Sequence, residues 1–158
     1  MEKSKAGNLK VFIQNEAGSC VKHLHDEKTL QLKGTTQVSR PYPFPYGFIL
    51  NTTAADGLNV DCFVLTCKAL QTGQVVECDA IALMEQFEDG KPDHNVLAVF
   101  PGEVATPTKA MREALVKFVS HVFDHVPGKS IQVGEFRGRE AAFSHIARHQ
   151  NKGAQTGE

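Results

Sequence analysis

The sequence predicts an α+β fold in which a small β-barrel is flanked by two α-helices. Short apolar segments with strand character, separated by turn residues, come first along the chain. The apolar spacing then changes to three and four residues toward the C-terminal end, which is typical of amphipathic helices. No repeat or linker divides the 158 residues, so we expect a single domain over 1–158 with a polar tail at about 151–158.

The predicted strands are apolar runs bounded by turns that contain glycine. They cover residues 11–13, 29–32, 61–66, 74–86, 94–100 and 131–136. Turns are predicted at 18–19, 34–35 and 71–73, and a turn-rich loop is predicted at 88–93. The run 61–66 is short and largely apolar, which fits a strand that is buried on both faces.

Two helices are predicted among the later residues. The first covers residues 108–126, begins with the capping residue Thr108 and ends before the Pro-Gly pair at 127–128. Its apolar side chains recur at spacings of three and four: Met111, Leu115, Phe118, Val119, Val122 and Phe123. The second helix covers residues 139–149.

The apolar surface of the first helix is wider than one stripe, because Val116 and Phe123 lie beside the main row. A small barrel has limited surface with which to cover it. We therefore expect part of this helix to contact another subunit, in a homo-oligomer.

Composition argues against several classes of partner. The formal net charge is −1, so no overall field favours nucleic acid or an acidic membrane surface. The first residues lack the apolar core of a signal peptide, and no run approaches the length of a membrane span. The four cysteines, Cys20, Cys62, Cys67 and Cys78, show no C-x-x-C spacing, so we expect reduced, buried thiols in a cytoplasmic protein.

The segment with the clearest chemical signal combines tyrosines with closely spaced carboxylates. Tyr42 and Tyr46 stand on a turn stiffened by prolines, and Asp56 and Asp61 follow just before the apolar run at 62–65. Carboxylates at this spacing are suited to holding a hard cation through oxygen ligands.

This segment resembles the soluble (family I) inorganic pyrophosphatases, whose signature is Tyr-Pro-x-x-Tyr-Gly-Phe-Ile followed by Asp-Gly-Asp-x-x-Asp before a strand. The resemblance extends over about 11–146. It implies an OB-like, five-stranded barrel with helices outside it. It also implies hydrolysis of inorganic pyrophosphate to two orthophosphates with Mg²⁺, or Mn²⁺, as cofactor, and assembly into symmetric dimers or hexamers.

The resemblance also implies the metal ligands. Asp56 and Asp61 match the outer positions of the family's aspartate triad, and Asp93 matches the aspartate that completes the first metal site. Glu88 stands where the family has another aspartate. Asp56, Asp61 and Tyr46 are thereby the expected catalytic residues.

On the phosphate-binding side, Lys22 matches a lysine on an early strand, and Tyr46 matches the tyrosine that reaches the active site. Tyr42 either binds substrate or packs. The family's arginine falls near Lys33 or Gly34, and Arg40 is the other candidate for its task. We therefore expect Lys22, Lys33, Arg40, Tyr42 and Tyr46 to bind substrate.

Several positions depart from the family pattern, and the most serious is Leu58, which replaces the middle aspartate of the triad. That aspartate lies near the attacking water, and leucine can act neither as a base nor as a metal ligand. The remaining departures replace charged or donor residues of the family and are Gln14, Leu24, Asn95, Val122 and Phe123. Reduced hydrolysis is expected, because loss of a general base costs about 10²–10⁴-fold in rate.

Two other functions stay open. One is a non-catalytic or regulatory relative that keeps a metal or phosphate site. The other is a hydrolase for a different phosphoanhydride or a phosphomonoester, because Leu58, Val122 and Phe123 suit a less charged and bulkier ligand.

Overall fold

The computed structural model describes residues 9–54 and 57–151. Within these ranges the chain forms nine strands and two helices. The strands are β1 (Leu9–Asn15), β2 (Val21–Asp26), β3 (Gln31–Gln37), β4 (Tyr46–Ile49), β5 (Val60–Val64), β6 (Val75–Glu88), β7 (Lys91–Pro92), β8 (Asn95–Val99) and β9 (Ile131–Arg137), and the helices are α1 (Lys109–His121) and α2 (Arg139–Arg148).

Five strands close into a barrel in the order β1-β4-β5-β8-β6, and β6 pairs back with β1. Every pairing in this ring is antiparallel except that of β5 with β8. Strands β7 and β9 extend the sheet from β6, while β2 and β3 form a separate hairpin. The expected α+β fold, an OB-like five-stranded barrel with two helices, is confirmed.

Strand β6 closes the barrel because it is long and changes partner along its length. Its 14 residues pair first with β1, then with β8 and β9. The register shifts between Ala80 and Ala82 and again between Met84 and Gln86. Such irregularities bend a strand and increase its twist, which lets one strand serve several neighbours.

Gly47 in the Tyr-Gly-Phe segment permits the close approach of β4 to β1. A Cβ atom at this position would lie 1.8 Å from the carbonyl oxygen of Phe12, a distance that no packed structure tolerates. Glycine is therefore required here by backbone contact.

The two helices cover different sides of the barrel. Ala142 and Ile146 of α2 belong to one cluster of buried apolar residues, whereas Leu115, Phe118 and Val119 of α1 belong to the other. The barrel of the same chain thus already buries most of the apolar surface of α1. The expected subunit contact was based on the width of that apolar surface, and this argument no longer holds. Homo-oligomerisation stays a prediction.

Helix α1 begins as predicted but ends early. The hydroxyl of Thr108 accepts a hydrogen bond from the Met111 amide at 3.1 Å, which confirms the cap. The helix ends at His121, although the sequence pattern continued to 126. The Ser39 amide donates to the Val122 carbonyl at 2.9 Å, so a distant segment takes an acceptor that a longer helix would use.

The strand predicted at 29–32 is wrong over its first half. The side chain of Asp26 accepts hydrogen bonds from the amides of Lys28 and Thr29, and Leu30 adopts a φ of 66°. This side-chain-to-backbone turn joins β2 to β3. Strand β3 then continues through Gly34, where a turn was predicted.

The cysteines are free, but only Cys62 and Cys78 are buried, whereas Cys20 and Cys67 are exposed, contrary to expectation. In the part of the chain that the structure describes, neither helix has the length and apolar character that a membrane crossing requires.

Three histidine rings lie in a row where α2 packs on the barrel. His145 is 7% exposed, and its ring centre lies 4.5 Å from that of His149 and 5.8 Å from that of His94. Burial, together with the nearby positive charges of His149, His94 and Arg148, lowers the pKa of His145 from 6.5 to about 4. The ring is therefore neutral in the folded protein at neutral pH.

We expect this histidine to make the fold sensitive to acid. The unfolded chain binds its proton more readily, so the free energy of unfolding should fall as the pH drops from about 6.5 to 4. One such group contributes at most about 1.4 kcal/mol per pH unit. Urea unfolding at pH 7 and pH 5 should show a smaller loss in a His145→Gln variant, and equal losses in both proteins would contradict this expectation.

Candidate functional site

A cavity of about 700 Å³ opens on the side of the barrel that faces α1 and the β2–β3 hairpin. Seven of the residues singled out from the sequence line it: Lys22, Lys33, Tyr42, Tyr46, Asp61, Glu88 and Asp93. Asp56 lies outside the described residues. Arg40 is not part of the lining, so the structure does not support it as the substitute for the family's arginine.

Tyr46 and Asp61 are joined directly. They lie on the neighbouring strands β4 and β5, and the Tyr46 hydroxyl hydrogen bonds to the Asp61 carboxylate. Burial raises the pKa of Tyr46 well above its usual value, and the charges of Asp61 and Asp93 raise it further. The phenol therefore stays protonated at neutral pH and acts as a hydrogen-bond donor.

Tyr42 packs against Tyr46 and so helps to hold it in place. Its ring stacks on that of Tyr46, with centroids 5.5 Å apart and planes inclined by 27°, and it also contacts the ring of Phe118 in α1. Burial raises its pKa, and Asp61 adds to the effect. Tyr42 therefore packs against Tyr46 and Phe118 and also lines the cavity, so both alternatives for this residue stay open.

The parallel pairing of β5 with β8 brings Asp61 and Asp93 to the same end of the barrel. Asp61 is the register partner of Asn95, the first residue of β8, and Asp93 comes two positions earlier. The Asp93 amide donates to the Gln86 carbonyl at 2.8 Å, which holds this turn against β6. Two carboxylates, one on β5 and the other just before β8, therefore raise the pKa of the same tyrosine.

Glu88 is engaged by a lysine that the sequence analysis did not select. The Lys129 ammonium forms an ion pair with Glu88, lies 4.0 Å from the Asp89 carboxylate, and has its pKa raised mainly by Glu88. A metal role for Glu88 would require this pair to open. The one signal that the sequence offered for Lys129 is its place directly after the Pro-Gly pair at 127–128.

Phe123 lies between two ammonium groups at the mouth of the cavity. The Nζ atoms of Lys22 and Lys129 are 5.5 and 5.4 Å from the centre of its ring. Both are cation–π contacts, and they hold the two lysines beside the cavity.

The loop that carries Leu58 is tied to the hairpin. The side chain of Glu27 accepts hydrogen bonds from the Asn59 amide and side chain at 2.8 and 3.0 Å. Leu58 itself lines the cavity with 51% of its surface exposed, and Leu24 on β2 does so with 41% exposed. One wall of the cavity is thus apolar and open to a ligand.

The departures from the family pattern converge on this cavity. Six substituted positions line it together: Gln14, Leu24, Leu58, Asn95, Val122 and Phe123. The sequence could identify each departure, but only the fold brings all six around one space.

The donors that remain are suited to a hard cation. Asp61, Asp93 and Glu88 offer carboxylate oxygens, and the buried Oδ1 atom of Asn95 has no hydrogen-bond donor among the described residues. Oxygen donors of this kind fit Mg²⁺ or Mn²⁺. Within 9–54 and 57–151, no three side chains of His, Cys, Asp or Glu converge closely enough to hold a metal by themselves.

The chain is similar over most of its length to proteins of one family. The family described as inorganic pyrophosphatase matches residues 2–153. The inorganic pyrophosphatase of Aquifex pyrophilus is 30% identical over 91% of this chain and 88% of its own length, and that of Saccharolobus solfataricus is 28% identical over 83% of each. The structure of an inorganic pyrophosphatase from Coxiella burnetii superposes with a TM-score of 0.82 at 25% identity, over 92% of this chain and 95% of that one.

Proposed function

This chain belongs to the inorganic pyrophosphatase family, and on that premise we propose that it hydrolyses inorganic pyrophosphate to two orthophosphates with Mg²⁺ or Mn²⁺. The observation that carries the proposal is the opposition of charges in one cavity. Asp61 and Asp93 lie beside Tyr46, while Lys22 and Lys33 line the same space. Carboxylates suit the metal, and the ammonium groups suit a highly charged phosphate.

The proposed metal ligands are Asp56, Asp61 and Asp93, joined by Glu88 when its pair with Lys129 opens. A bound metal supplies positive charge for the phosphoryl oxygens and Lewis acidity for the attacking water. The Asp61 and Asp93 carboxylates line one cavity, and a bound cation offsets the repulsion between their charges. This relief of repulsion favours binding of a divalent cation at the site.

The substrate-binding residues in this proposal are Lys22, Lys33, Tyr42 and Tyr46. The lysines neutralise phosphate oxygens, and the protonated hydroxyl of Tyr46 donates a hydrogen bond without adding charge. The hydroxyl has a single proton, which it donates to Asp61 and so holds that carboxylate in position for the metal. Donation to a phosphate oxygen requires this hydrogen bond to open. The expected catalytic set is Asp56, Asp61 and Tyr46.

The proposed rate is below that of relatives with the complete triad. Leu58 itself supplies no base, and a general base is worth about 10²–10⁴-fold. Lewis acidity from the metal lessens the need for that base. Slow hydrolysis is consistent with both considerations.

A second candidate function is hydrolysis of a phosphoanhydride that carries an apolar substituent. The exposed side chains of Leu24 and Leu58 on the cavity wall favour it, together with the nearby Val122 and Phe123. Inorganic pyrophosphate has no apolar group that could pack against these side chains. A third candidate, a non-catalytic protein that binds metal or phosphate, would keep the same polar residues.

The test is phosphate release from pyrophosphate with and without Mg²⁺, next to a small panel of nucleotides. Metal-dependent release that is lost in Asp61→Asn but kept in Glu113→Gln, an exposed carboxylate of α1, would support the first proposal. Faster release from nucleotides would favour the second candidate. No release from any substrate by a folded, metal-binding protein would favour the third.

We also propose a cytoplasmic location and a homo-oligomer, either a dimer or a hexamer. Four free cysteines support the location. Sedimentation at pH 7.5 checks the assembly, and a species with the mass of one chain would contradict it.

A further inference from the structure

Asn95 is a buried polar residue at the base of the cavity. It is 2% exposed and lines the cavity as the first residue of β8. Its Nδ2 atom donates a 2.6 Å hydrogen bond to Oε1 of Gln86, another buried amide of the lining. Its Oδ1 atom is buried as well, and no residue in the described part of the chain donates to it.

The surroundings make this oxygen unusual. Asn95 is the register partner of Asp61 across β5 and β8, and Asp93 lies two residues before it. The atom is therefore an acceptor beside two residues that are themselves acceptors. A buried acceptor without a partner costs about 1–3 kcal/mol, and neighbouring carboxylates cannot relieve that cost.

The hydrogen bond to Gln86 fixes which end of the amide is free. Because Gln86 accepts through Oε1, Asn95 must present its NH₂ group to β6 and its oxygen elsewhere. Gln86 is itself 8% exposed, so this pair is set inside the protein.

We propose that the Oδ1 atom of Asn95 is a ligand of the divalent cation bound by Asp61 and Asp93. The inference rests on the proposed metal site and adds a neutral oxygen donor to it, with Gln86 as its positioning residue. A hard cation satisfies an orphaned amide oxygen and two carboxylates at once. The position at which the family has lysine thus serves the metal in this chain, since it supplies an oxygen in place of a positive charge.

The experiment measures the affinity of the protein for Mn²⁺ alone, by calorimetry and by the electron paramagnetic resonance signal of free Mn²⁺, without pyrophosphate. Asn95→Leu keeps the approximate size of the side chain but removes the oxygen. It should weaken Mn²⁺ binding about tenfold or more, as loss of a supporting group at a metal site typically does. Gln132→Leu, which removes an exposed amide of β9 outside the lining, should leave the affinity unchanged.

Equal Mn²⁺ affinity in the wild type and Asn95→Leu would overturn the inference while leaving the proposed metal site intact. No Mn²⁺ binding by the wild type would instead overturn both. Melting curves in EDTA show whether each variant is folded. If Asn95→Leu does not fold, Asn95→Asp decides: an added carboxylate oxygen should tighten Mn²⁺ binding several-fold, and unchanged affinity would overturn the inference.

Discussion

Replacement of Leu58 by aspartate is expected to raise pyrophosphate turnover about tenfold or more. The change restores a candidate base at the mouth of a cavity that already contains Asp61 and Asp93, and a positioned base is worth about 10²–10⁴-fold. Because Leu58 is half exposed, the new carboxylate keeps its contact with water and adds little cost to folding. Steady-state kinetics at saturating Mg²⁺ measure the gain.

Leu58→Asn is the matched control, since it has the same shape as aspartate but cannot act as a base at neutral pH. A gain in the aspartate variant alone would identify the missing carboxylate, as base or as metal ligand, as the cause of slow hydrolysis. If neither variant is faster and both remain folded, the cavity is adapted to another ligand. That result would favour the phosphoanhydride with an apolar substituent or the non-catalytic function.

Saturating Mg²⁺ is expected to stabilise the fold by about 2.7 kcal/mol at 100 times Kd. The physical reason is the relief of repulsion between Asp61, Asp93 and the other carboxylates at the cavity when a cation binds. For a chain of 158 residues this corresponds to a rise in Tm of several degrees. Thermal melting with and without millimolar Mg²⁺ measures it.

Asp61→Asn should lose most of this stabilisation, because it removes one ligand charge and leaves the size of the side chain unchanged. Glu113→Gln removes a carboxylate that pairs with Lys109 on the exposed face of α1, so its response to Mg²⁺ should match that of the wild type. The metal site would be contradicted by a Tm that Mg²⁺ does not change. An equal shift in Asp61→Asn would contradict it as well.

Local pattern in the sequence was sufficient for four of the five barrel strands, for both helices and for the aspartates of the motif. The fifth, β4 (Tyr46–Ile49), was not predicted, because the prolines before it indicated a turn. Alternation and apolar runs depend on neighbouring residues, and the capping role of Thr108 depends on a hydroxyl three residues before the amide that it binds. The spacing of the tyrosines and aspartates can likewise be read from one short segment, residues 42–61. These features could be predicted because each depends on residues close together in the chain.

Errors arose where a short-range side-chain contact or a distant partner overrode the pattern. Asp26 turned the chain inside a predicted strand, and Ser39 bonded to the carbonyl of Val122 at the end of α1. The apolar breadth of α1 suggested a second subunit, yet the barrel of the same chain covers most of it. Periodicity can measure an apolar face but cannot identify what packs against it.

The sequence by itself determined which residues are present: the carboxylates, the tyrosines and the positions that depart from the family. Only the tertiary structure decided how they meet. The parallel pairing of β5 with β8 joins Asp61 to the segment of Asp93, Lys129 engages Glu88, and Arg40 is left outside the cavity. It also left Leu58 exposed and the oxygen of Asn95 buried without a donor, because burial and hydrogen bonding depend on neighbours that are far apart in the chain.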